Sequence, residues 1–159
     1  MLGTDLDIET TTFWIRLGAA VACGTVIGIE RQLRGKASGV RTCILVCLGT
    51  EVFVALGASM VPANTDPTRV LGQVITGIGF LGAGVILARD GRVLGVTSAA
   101  VIWMLSALGA VIAIGHVATA FVLTLVTLAV LIGVEALETG WTRLRHGDRE
   151  GKLGNIELE

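Results

Sequence analysis

The sequence predicts an all-α membrane protein, a polytopic bundle of about five transmembrane helices with its N-terminus outside and its C-terminus inside. Three observations predict it. First, 53% of the 159 residues are hydrophobic and only 16% charged, where soluble domains carry about a quarter; mean hydropathy is +0.80. Second, Asp, Glu, Lys and Arg are absent from Leu17–Ile29, Val70–Ala88 and Val93–Val134. Third, ten of the twelve Lys and Arg fall in segments that five crossings place on one side.

The spans follow in order. Crossing the bilayer core takes about 20 apolar residues, and Thr12–Ile29 and Thr42–Val61 supply the first two. The first carries Arg16 near its outer end and the second carries Glu51 near its middle. Arg69–Ala88 is the third. Val93–Val134 is too long for one crossing, and Gly115-His116 is the polar break near its middle. It divides into Leu94–Ile114 and Val117–Val134. Residues 1–11 are then a periplasmic segment, 12–137 the membrane domain and 138–159 a short cytoplasmic tail. Cytoplasmic segments of membrane proteins are enriched in Lys and Arg. Here Arg31, Arg34, Lys36, Arg41, Arg89, Arg92 and the basic residues after Glu138 share one side, leaving Arg16 and Arg69 opposite.

Small residues mark the expected helix contacts, because close backbone approach is the main route to association in lipid. Ala20, Gly24 and Gly28 recur every four residues on span one. Gly77, Gly79, Gly82 and Gly84 crowd span three. The stretch fits a tightly packed central helix, or a deformable one whose freed carbonyls line an ion path. Gly77–Gly82 also matches the G-x-G-x-x-G spacing of dinucleotide sites. That motif requires a preceding strand and a soluble helix, so a membrane span excludes it.

The net charge of −1 argues against a nucleic-acid partner. Cys23, Cys43 and Cys47 lie in or beside spans and read as small buried hydrophobes. Cys43 and Cys47 share a helical face, but His116 and His146 fall elsewhere, so no metal site is expected. No catalytic set, phosphate loop or haem pattern is present, and neither enzyme activity nor a cofactor is expected. Glu51 is the mid-membrane carboxylate; it is either functional or a neutral acid bonded to a hydroxyl. Asp66 and Arg69 bracket the start of span three, where Asp66 can cap the helix and pair with Arg69. Glu30 and Arg41 flank the first loop and can meet if spans one and two are antiparallel neighbours.

Four strings carry a family resemblance. Gly28-Ile-Glu-Arg-Gln-Leu-Arg-Gly-Lys-Ala-Ser-Gly-Val-Arg-Thr42, Asp66-Pro-Thr-Arg69, Gly77–Gly84 and Gly95-Val-Thr-Ser-Ala-Ala-Val-Ile-Trp103 resemble, in order, segments of the MgtC/SapB family of membrane proteins. The resemblance spans residues 13–134. It implies a bacterial inner-membrane protein tied to magnesium limitation or membrane energetics, and its best-studied members support survival in host cells. It points to Glu30, Arg41, Thr42, Asp66, Arg69 and Trp103 as site residues, ranking Arg41 and Asp66 above Glu51. Cys43 stands where the family commonly has His. The short tail implies a form lacking the family's C-terminal cytosolic domain. Two readings remain: a non-enzymatic regulator with the lipid bilayer, further copies of itself or another membrane protein as partners, and a small oligomeric transporter or channel for Mg²⁺ or another ion.

Overall fold

The computed structural model describes residues 8–60, 68–89 and 92–154, with side chains over 8–60, 68–86 and 93–137. Helices α1 (Thr11–Leu33), α2 (Val40–Met60), α3 (Thr68–Gly84), α4 (Val96–Ala113) and α5 (Val117–Gly154) follow in order, and a two-stranded hairpin, β1 (Leu87–Arg89) and β2 (Arg92–Leu94), joins α3 to α4. All but α3 are long and apolar enough to cross a membrane. At 17 residues, α3 is about 26 Å long, short of the ~30 Å core. The sequence reading extended it to Ala88; the hairpin ends it at Gly84 instead.

Local chemistry sets the ends. Thr10 Oγ1 caps α1 by accepting from the Phe13 N–H at 3.4 Å. Gly115, at φ 89°, closes α4. Its N–H donates to Ile112 O and the His116 N–H to Val111 O, the paired bonds of a Schellman ending that needs a left-handed residue. Gly95, at φ 90°, opens α4 so close to the Val85 carbonyl that no Cβ fits.

The chain divides into two units, Met1–Leu125 and Val126–Glu159. In the first, α2 is central: it packs on α1, α4 and α3, while α4 also meets α1 and α3. Ala20, Cys23 and Ile27 of α1, Cys43, Cys47 and Ala55 of α2, and Leu105, Leu108 and Ile112 of α4 are fully buried. Their spacings of three, four or eight residues put one stripe on each helix. The three cysteines are free and buried. Of α3, only Ile78 and Gly82 are buried. The second unit is the remainder of α5, which continues helical past Leu137 to Gly154 through most of the expected tail.

Candidate functional site

Two glycines set the register of α1 against α2. A Cβ on Gly28 would meet Val40 Cα at 2.6 Å, and one on Gly24 would meet Ile44 Cα at 2.7 Å. Each four-residue step back along α1 is thus matched by four residues forward along α2. Two more steps carry Arg16 opposite Val52, beside Glu51. Both side chains are drawn inward: Arg16 Nε lies 3.1 Å from Glu51 Oε1, with side-chain exposures of 1% and 3%. Arg16 Nη1 also donates to the Ala113 carbonyl at 3.3 Å, which ties in the end of α4. Gly109 brings α4 close at this level, where a Cβ would meet the Cys47 carbonyl and Thr50. One residue away, Thr50 Oγ1 donates to Ser106 Oγ at 3.1 Å. Charges and hydroxyls in the middle of the bundle are thus partnered across three helices.

This corrects the reading of Glu51 as a neutral acid on a hydroxyl. Its partner is Arg16, a residue the sequence analysis placed only as a span-end charge. The signal was present: once Gly24 and Gly28 set the register, Arg16 and Glu51 fall together.

A second polar group sits where α1 meets the first loop. Glu30 Oε1 lies 2.7 Å from Arg34 Nε, one helical turn on. Glu30 Oε2 lies 3.9 Å from Arg31 Nη1. Arg31 is 2% exposed and donates from Nη2 to Ser98 Oγ of α4 at 3.0 Å. Gln32 Oε1 accepts from the Val40 N–H at 3.3 Å and so caps α2. Glu30 therefore does not meet Arg41, which stands exposed on the first turn of α2. Glu30 is spent within its own helix, since i,i+4 pairs face each other.

The remaining expected site residues do not converge. Thr42 is exposed beside Arg41, Arg69 is exposed at the start of α3, and Asp66 lies outside the described residues. Trp103 is 53% exposed. Of the glycines expected to pack, Gly24 and Gly28 do so, and Gly82 touches Ala99 at ordinary contact distance. Gly77, Gly79 and Gly84 do not: a Cβ on any of them meets nothing within 4 Å. The reason is that α3 packs on α2 and α4 along one face, through Val70 beside Gly57, through Leu71 and Val74 on Val54, Ala55 and Ala113, and through Ile78 and Gly82, and these three glycines lie off it. A groove of about 480 Å³ separates α3 from α2, and another of about 240 Å³ from α4.

The chain is similar to proteins of known sequence over this same region. It is 42% identical over 130 residues to the magnesium-transporter candidate YhiD of Escherichia coli (strain K12), a match covering 77% of this chain and 60% of YhiD. It is 40% identical to Protein MgtC of Brucella abortus and 38% to Protein MgtC of Salmonella typhimurium, each over 72% of this chain and 48% of the relative. The chain thus spans about half to three fifths of the length of these relatives. No solved structure matches it. The MgtC family model matches residues 17–139, nearly the whole helical region, and the chain belongs to the MgtC family.

Proposed function

We propose that this chain is a non-enzymatic regulator in the bacterial inner membrane, acting in adaptation to magnesium limitation or in membrane energetics. The observation that carries this reading is the Arg16–Glu51 pair. Mg²⁺ takes oxygen ligands in near-octahedral geometry, and Glu51 is the one carboxylate deep in the bundle among the described residues. It is already neutralised by a guanidinium at 3.1 Å. Handing it to a passing cation would take the countercharge from a buried guanidinium, which is costly. The names of the relatives support the link to magnesium. The ten-of-twelve distribution of Lys and Arg supports an outside N-terminus and a cytoplasmic first loop, hairpin and C-terminus.

A transporter or channel for Mg²⁺ or another ion, built from several copies, is the second reading. The loosely seated α3, with grooves on both sides and its glycines unfilled, favours it. The test is a deletion strain of a host bacterium in magnesium-poor medium, complemented with this chain and scored for growth and for total cell magnesium. Regulation predicts restored growth at unchanged magnesium uptake rate. Restored growth in step with faster uptake would overturn it.

A further inference from the structure

Arg41 and Thr42 lie outside both polar groups, yet their placement has a consequence. The groove between α2 and α3 starts at Thr42 and runs past Leu45 and Gly49 to Phe53, with Gly77 and Leu81 of α3 as its far wall. Its volume of about 480 Å³ is that of a small-ligand site. Eleven residues of α2 separate Thr42 from Phe53, a rise of about 16 Å. That is about half of a ~30 Å hydrocarbon core, the depth of one leaflet. The walls are apolar apart from the Thr42 and Thr50 hydroxyls.

Arg41 stands at the mouth. It is exposed, and among the described residues it has no ion pair, unlike Arg31 and Arg34. It lies one turn before Leu45, on the flank of the helix that lines the groove. Helical side chains lean toward the helix N-terminus, so its guanidinium reaches out past the start of α2 toward headgroup depth. An apolar slot one leaflet deep, with at its rim a cation that has no ion pair among the described residues, is complementary to a lipid with a negative headgroup.

We propose that the α2–α3 groove binds one anionic phospholipid of the adjoining leaflet, with an acyl chain along Leu45–Phe53 and the phosphate on Arg41. Binding fills the space that the chain leaves beside α3 and seats that helix. Arg41 acts as the headgroup contact and Thr42 as a hydroxyl at the neck of the slot.

The test is native mass spectrometry of the full chain, released from micelles holding equal amounts of phosphatidylglycerol and phosphatidylethanolamine. The wild type should retain one lipid with about a fivefold preference for phosphatidylglycerol, the effect of one basic side chain near an anionic headgroup. Arg41→Gln should abolish the preference, and Arg41→Lys should keep most of it. Gly49→Leu should lower retention of both lipids; a Cβ there meets nothing within 4 Å, so the added side chain grows into the groove without displacing backbone. Equal retention of both lipids by the wild type, or an undiminished preference in Arg41→Gln, overturns the proposal. So does efficient self-crosslinking of Gly77→Cys in a variant lacking Cys23, Cys43 and Cys47, because a second copy would then occupy the groove.

Discussion

Replacing Glu51 by Gln keeps its shape and removes one charge of a buried pair. The structure sets the size of the effect. The two side chains are 1% and 3% exposed and 3.1 Å apart, and charges about 4 Å apart at an effective dielectric near 20 attract by ~4 kcal/mol. The variant loses that attraction and leaves the buried Arg16 guanidinium facing a neutral amide in place of its countercharge, while its bond to the Ala113 carbonyl stays. Breaking one partner of a buried pair costs roughly 3–5 kcal/mol, whereas replacing both by apolar residues is close to neutral. Glu51→Gln should therefore lose about 3 kcal/mol or more in reversible unfolding in mixed micelles, read by helical circular dichroism. Arg16→Met combined with Glu51→Leu should return to within about 1 kcal/mol of the wild type. A Glu51→Gln protein as stable as its parent, or a double variant no better than the worse single one, would refute the reasoning. The family resemblance alone ranks Glu51 below Arg41; the ion pair gives it a structural weight that this ranking does not contain.

Other outcomes follow from the same contacts. Gly24→Ala and Gly109→Ala should each destabilise by about 1–3 kcal/mol, because their Cβ atoms meet α2 backbone and overpacking costs that much. Gly79→Ala should be neutral or stabilising by up to ~1 kcal/mol, since open space and a better helix former replace glycine; the same unfolding assay separates the two classes. On a background lacking the native cysteines, a cysteine at residue 90 should resist an impermeant thiol reagent in intact cells, and labelling there would invert the proposed orientation. Arg41→Ala and Asp66→Ala should abolish complementation in magnesium-poor medium at wild-type expression by blot, and full growth would leave both as ordinary interfacial charge.

The number of helices was legible because lipid imposes long apolar runs, and three charge-free runs leave few arrangements; of the five, α3 falls short of a full crossing. Gly24 and Gly28 were legible as contacts because their four-residue spacing faces a neighbour in the same chain. The same spacing in α3 misled: Gly79 looks alike in sequence whether it faces a helix or open space. The Glu30–Arg34 pair is a local i,i+4 pattern, whereas Arg41, across the loop, is a partner that only an antiparallel approach of α1 and α2 would supply. Arg16 and Glu51 are distant in sequence, and only the register of α1 on α2 joins them. The hairpin was missed because strands of three residues are too short for a periodicity signal. Its remaining cue was Asp90-Gly91, a pair favoured in two-residue hairpin loops.

On the proposed regulatory function, Arg16 holds the buried Glu51 carboxylate and the bundle carries no ion path. The direct measurement is Mg²⁺ entry into liposomes containing the purified chain, read by an enclosed Mg²⁺-sensitive dye under an imposed gradient. Entry should be no faster than in protein-free liposomes. Entry that scales with protein content and falls in Glu51→Gln would contradict it.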